Sequence, residues 1–184
     1  MGDIDDALGR ADLEAFTKEP PKTLKGQIGY LIRQLKTAKA VAAELGVTAD
    51  SVNRYRRGAR KHPPRHVQAR IDDAVRTRWQ PLVRKRRRSR AASSTGITVE
   101  TRARFGYDAP AGATDDGRFR RLTVHLPADY ARRLFEARAQ GADDARLRAI
   151  VAEGLQEVYF KDGGRRAAGL EVSLNDIDYF DVSF

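Results

Sequence analysis

Between Lys36 and Gly58 the chain reads KTAKAVAAELGVTADSVNRYRRG, a string with few ways to fold. Val41, Ala42 and Leu45 fall on one face of a helix. Gly46 ends that helix, because a left-handed backbone costs glycine little. Val47 then turns back toward a small core. Thr48 is a good N-cap for a second helix, and Asp50 suits the positive end of that helix's dipole. Val52 and Tyr55 make the buried side, and Gly58 ends the helix. Ala42 is small where the two helices must cross closely. The spacing therefore predicts a helix-turn-helix.

The second helix is left with an outer face of Asp50, Ser51, Asn53, Arg54 and Arg57. Asn pairs bidentately with adenine and Arg with guanine, and Ser hydrogen-bonds either bases or phosphates. Such a helix enters the major groove with its early residues at the base edges. Arg56, Arg60 and Lys61 are expected on phosphates, where they position the protein without specifying sequence.

The charge distribution agrees. Net charge is −4 over residues 1–20, +17 over residues 21–104 and −3 over residues 105–184. Arg-rich composition alone would not leave the last 80 residues acidic. A polyanion partner is the expected cause, because cationic side chains displace counterions from phosphates.

Leu24, Ile28, Leu31, Ile32 and Leu35 form an apolar stripe that predicts a supporting helix before the motif. Val67, Ile71, Val75 and Trp79 predict another after Pro63 and Pro64, ending near Pro81, with Trp79 as a core residue. His62 and His66 are split by the two prolines and are expected as solvated or phosphate-facing imidazoles. No metal site is expected, and with no cysteine there is neither a disulfide nor a thiolate nucleophile. No apolar run nears the ~20 residues of a membrane span. The opening MGDIDDALGR lacks a signal-peptide core. A soluble, cytoplasmic, nucleoid-associated protein is expected.

Arg84 to Arg90 reads RKRRRSR, followed by AASSTG. The plain reading is a solvated linker. The functional one is a basic arm (Arg84, Lys85, Arg86, Arg87, Arg88) that orders on DNA. Next, Asp108 to Ala113 is loop chemistry. Thr114 closes it, followed by Asp115, Asp116 and Gly117, then Arg118, Arg120 and Arg121. Thr-Asp-Asp-Gly is a good turn sequence in its own right. It also sets an exposed hydroxyl beside two carboxylates and three guanidiniums. Arg121 to His125 alternates as a strand. A helix from Pro127 to near Gly141 follows, then a second from about Asp143 through Val158. This strand-helix-helix is either half of a ribbon-helix-helix dimer, self-associating through residues 121–160, or an internal subdomain. The acidic tail GLEVSLNDIDYFDVSF alternates apolar and polar residues, as a strand or a docking peptide would.

The expected fold is mainly α: an N-terminal helix-turn-helix bundle, a basic linker, and a small α+β C-terminal region (strand-helix-helix). The expected boundaries are an acidic segment at 1–20, the DNA-binding domain at 21–83, the arm at 84–104, a loop at 105–120 and the strand-helix-helix with its tail at 121–184.

The strings VAAELGVTADSVNRYRRGARKHPPRHV, GATDDGRFRRLTVHLP and DIDYFDVSF, in this order and over the whole chain, resemble the telomeric terminal proteins of linear Streptomyces chromosomes and plasmids. A helix-turn-helix is common to many regulators, so the last two strings carry the specificity. The resemblance implies covalent attachment to the 5′ ends of linear replicons and priming of the synthesis that fills the terminal gap. It implies a telomere-associated DNA-binding protein and a DNA polymerase as partners. It also implies a threonine acceptor, which matches Thr114 here. The chain would then be a substrate of nucleotidyl transfer rather than an enzyme. It would have no cofactor of its own, Mg²⁺ and dNTP coming through the polymerase. Asp115 and Asp116 are expected to support the metal, and Arg118, Arg120 and Arg121 the triphosphate or DNA. Tyr107, Ser93, Ser94 and Thr95 are competing hydroxyls. The alternative is a transcriptional regulator that binds duplex DNA as a dimer, with no covalent step.

Overall fold

The computed structural model describes residues 2–109, 112–115, 119–165 and 169–184. The fold is mainly helical, with a small antiparallel sheet in its C-terminal part. The chain forms two compact units, Phe16–Val83 and a second that joins Met1–Ala15 to Arg84–Phe184.

The Phe16–Val83 unit holds α2 (Leu24–Leu35), α3 (Ala38–Leu45), α4 (Ala49–Arg57) and α5 (Arg65–Arg78). Its core is Ile28, Leu31, Val41, Leu45, Val52, Tyr55, Val67, Ile71 and Val75, the stripes that helical spacing predicts. Thr37 caps α3 by accepting from the Ala40 amide at 3.0 Å. Gly46 takes a φ of 65° after α3. Nη1 of Arg70 passes over it to donate to the Leu45 carbonyl at 3.2 Å. Gln27 is buried and donates to Asp72 at 2.7 Å while accepting from Gln68, which ties α2 to α5 and satisfies a core amide. Trp79 packs edge-on to Tyr30 at 4.9 Å and donates its indole proton to the Lys18 carbonyl.

The other unit begins with α1 (Asp3–Glu14). Residues 1–20 are therefore not a separate acidic segment: as far as Ala15 they belong with the C-terminal half. Ile4 and Leu8 are buried in its core. The carboxylates of α1 find arginines of the same unit, Asp5 with Arg138 at 2.7 Å, Asp3 with Arg148 at 2.8 Å and Asp12 with Arg88 at 3.2 Å.

Residues 84–104 are also not an unstructured arm. Helix α6 (Pro81–Arg90) runs through the basic string, a π-helical turn covers Ala91–Thr95, and β1 starts at Ile97. Strand β1 (Ile97–Ala109) is the spine of the sheet. On one side it pairs antiparallel with β4 (Glu171–Ser183), and it also pairs with β3 (Arg120–Leu126) and, farther along, with β2 (Gly112–Asp115). Part of the expected loop at 105–120 is thus a β1–β2 pairing. The alternating tail is a strand and not a free acidic peptide. The strand expected at 121–125 pairs within the chain, as an internal subdomain would.

Helices α7 (Ala128–Ala139) and α8 (Asp144–Leu155) follow, α8 being capped by Asp143, which accepts from the Arg146 amide. Leu134, Leu147, Ile150, Val151 and Leu155 join Val99, Phe105, Leu122, Val124, Phe180 and Val182 in one core. Thr101 lies among them, fully buried, with its hydroxyl donated to the Tyr179 carbonyl at 2.9 Å. Two irregularities in the β1–β4 register, at Asn175 and Asp178, each set two residues against one. Having two of them restores the inward phase, so that Leu174 and Phe180 face the same core.

Candidate nucleic-acid interface

Helix α4 is held at both ends. Thr48 Oγ1 accepts from the Ser51 amide at 3.2 Å, and Gly58 ends the helix with a φ of 76°. Val52 and Tyr55 anchor its inner face. The outer face then carries the expected residues. Asp50, Arg54, Arg56 and Arg57 are exposed, and Ser51 and Asn53 are half-buried.

Two details go beyond the sequence reading. Arg54 Nε meets Asp50 Oδ2 at 2.9 Å, one helical turn away, so the guanidinium is oriented by its own helix. Arg60 lies over the Tyr55 ring at 5.8 Å, where the ring face attracts its charge. Lys61, His62 and His66 are exposed beside it. Cationic side chains of α4 and of the segment after it therefore flank a face that also carries hydroxyl and amide groups. That arrangement can meet both base edges and phosphates.

The basic string splits by position on α6. Lys85, Arg86 and Arg87 are exposed, whereas Arg84 is buried and does not serve as a DNA contact. Arg88 is exposed but ion-paired to Asp12. Helical periodicity alone distributes these residues around the axis, which a reading as extended arm ignores.

The outer sheet face is charge-balanced. Arg102 pairs with Asp178, Arg104 with Asp176 at 3.8 Å, and Arg121 with Glu100. The acidic tail thus provides counterions to neighbouring strands. The Phe119 ring is flanked by the guanidiniums of Arg102 and Arg104 at 5.0 and 4.7 Å. The hydrogen bond to Glu100, followed by its charge, raises the Arg121 pKa further above its ordinary value. Arg121 is accordingly committed within the sheet, while Arg120 is an exposed edge residue.

Thr114 stands on β2 with its backbone opposite Tyr107 of β1. Its side chain and that of Asp115 lie outside the described residues, as do Asp116 and Arg118 altogether. Of the competing hydroxyls, that of Tyr107 is buried, its ring edge-on to Phe160 at 5.4 Å. Ser93 and Ser94 are exposed and donate to the Arg90 carbonyl at 3.4 and 3.1 Å. Among the described residues no group of three or more His, Asp or Glu side chains is placed to hold a metal ion. No helix among them is long and apolar enough to cross a membrane. A scan against protein-family models and searches of curated proteins and of solved structures gave no match.

Proposed function

We propose that this chain binds duplex DNA through α4 and serves as a protein primer at the ends of a linear replicon, with Thr114 as the acceptor. The observation that carries the DNA-binding part is the capped α4, with Asp50, Arg54 and Arg57 exposed and Asn53 half-buried on its outer face, next to Arg56, Arg60 and Lys61. The priming part rests on the resemblance of the GATDDGRFRR and DIDYFDVSF strings to telomeric terminal proteins. It is supported by the burial of the nearest rival hydroxyl, that of Tyr107.

In the proposed step the Thr114 oxygen attacks the α-phosphorus of a dNTP. A threonyl phosphodiester forms, the bond to the leaving pyrophosphate breaks, and the hydroxyl proton passes to a base in the polymerase site. The polymerase's metal ions stabilise the developing charge. In this scheme a telomere-associated protein brings the template. Arg120 and Arg121, both exposed on β3, are described cations that would meet the triphosphate or the DNA in this scheme.

The test is a deoxynucleotidylation assay with labelled dNTP, Mg²⁺, telomeric template and host polymerase. Label resistant to heat and detergent is expected on the wild type and on Tyr107→Phe, and absent from Thr114→Ala. Label lost instead with Ser93→Ala or Ser94→Ala would move the acceptor. No label on any form, with tight binding to a symmetric duplex site, would replace the primer with a dimeric regulator.

A further inference from the structure

Asp50 and Arg54 stand one turn apart on the outer face of α4, with Arg54 Nε at 2.9 Å from Asp50 Oδ2. Among the described residues Arg54 is the one arginine of α4 with a carboxylate at ion-pair distance. The carboxylate itself is well fixed. Asp50 lies in the first turn, where the peptide dipoles favour a negative charge. Thr48 Oγ1 caps that turn and also lies 3.0 Å from Ser51 Oγ. Val52 and Tyr55 hold the inner face of the helix in its core, so the outer face has a set direction. The two side chains are 60% and 63% exposed, and a pair so open to solvent adds little to stability.

What the pair does is direct the guanidinium. Arg54 belongs to the last turn of α4, as Arg56 and Arg57 do. The ion pair draws its head back over the preceding turn, toward the N-terminal end that reaches base edges in a major groove. A guanidinium carries five N–H donors in a planar fork. With Nε engaged by Asp50, the two terminal nitrogens remain, and their outward N–H groups run parallel. That spacing matches O6 and N7 of guanine. Adenine puts an amino donor where guanine has O6, so donor would face donor. A held arginine also has less rotamer freedom to lose on binding than a free one.

We propose that Asp50 is a positioning residue that aims Arg54 at a guanine, and that this pair sets the sequence preference of α4. The inference rests on α4 being the DNA-facing helix and is independent of the priming step. Asp50 then acts in two ways. It holds the fork on the guanine edge, and it places a negative charge near the phosphates. That charge lowers affinity for every sequence, and most where Arg54 finds no guanine. Removing Asp50 therefore has opposite effects on the two kinds of DNA: the right sequence is bound less selectively and the wrong one more tightly. A residue that only stabilises the start of the helix has no such signature, because its loss weakens binding to all sequences alike.

The test begins with selection of duplexes from a library with a randomised segment, using the full wild-type chain. Fluorescence anisotropy then compares a selected duplex with copies in which single G·C pairs are replaced by A·T. One replacement is expected to weaken wild-type binding by roughly tenfold or more. Arg54→Ala should bind that copy and the parent duplex within about twofold of each other, while preferences at other pairs remain. Asp50→Ala should reduce the ratio to less than about threefold and bind the A·T copy more tightly than the wild type does. Asp50→Glu keeps a carboxylate one turn from Arg54 and should keep the guanine preference. Both positions are exposed and alanine favours helix, so the variants keep the fold. An intact ratio in Arg54→Ala, or an Asp50→Ala variant weakened equally on both duplexes, would overturn the inference. Selected duplexes with no shared G·C pair would overturn it too and leave DNA binding by α4 standing. No enrichment by the wild type would remove both.

Discussion

Thr48 spends its hydroxyl on the Ser51 amide, one of the four donors that the start of α4 leaves without a helical partner. The cap also sets the angle at which α4 leaves the turn, so its loss reaches the DNA-facing side chains. Thr48→Ala should cost about 1 kcal/mol of stability, and Thr48→Asp should restore most of it. Denaturant unfolding, followed by the single Trp79 in the same unit, measures both. The residue scale is also where the sequence is most legible. The caps at Thr48 and Gly58 and the buried Val52 and Tyr55 are local consequences of helical spacing. The Asp50–Arg54 pair is equally local, at four-residue spacing, and could have been read from it. The grip of Arg70 on the Leu45 carbonyl could not, because 25 residues separate the two.

At the scale of elements, α7 and α8 are clasped by Arg133 and Glu153, whose side chains meet at 2.8 Å through Nη1 and Oε1. The hydrogen bond from Arg133 holds the Glu153 carboxyl below its ordinary pKa of 4.5, against the opposing effect of burial. A carboxylate lowered in the folded state contributes stability in full above its unfolded pKa. That contribution is lost as pH falls through the lower, folded value. Melting of the C-terminal unit should therefore fall with acidification below about pH 4.5, where unfolded Glu153 starts to take up its proton. Glu153→Gln should flatten that part of the profile while changing little at neutral pH, because half-exposed ion pairs are screened. A profile of unchanged steepness in the variant would assign the acid transition to other carboxylates. The sheet shows the opposite kind of dependence. Strand β1 begins within what the sequence reads as a basic linker, although Glu100, Arg102 and Arg104 alternate with Val99, Thr101 and Ala103 as a strand's residues do. Its inward residues become core only once β3 and β4 flank it.

For the whole molecule, the two units each have a core, and α1 belongs to the one that is distant in sequence. Ile4→Ala should destabilise the C-terminal unit by about 2–5 kcal/mol. The protection of α2 to α5 against hydrogen exchange should stay as it is. Loss of protection in α2 to α5 instead would place α1 with the wrong unit. The same arrangement redistributes charge. Carboxylates of α1 neutralise arginines inside the C-terminal unit, so net charge by segment overstates what is offered to DNA there. Arg56→Ala and Lys61→Ala should each lower the slope of log affinity against log salt by about 0.9 where they meet a phosphate. Arg88→Ala, which loses only its link to Asp12, should leave the slope nearly unchanged. Fluorescence anisotropy across a salt series separates the two cases, and equal slopes for all three variants would contradict this division.

Local order set the helices and the helix-turn-helix, because caps, glycine stops and apolar faces recur within a turn or two of the chain. Tertiary structure alone decided that the basic string is helical and partly committed, that Arg84 is buried, and that the acidic termini serve as counterions. Each depends on segments tens of residues apart meeting across a sheet or a core, and neither helical periodicity nor composition carries that information. The hydroxyl of Tyr107 shows the same limit, since sequence leaves it as accessible as that of Thr114 and only packing against Phe160 buries it.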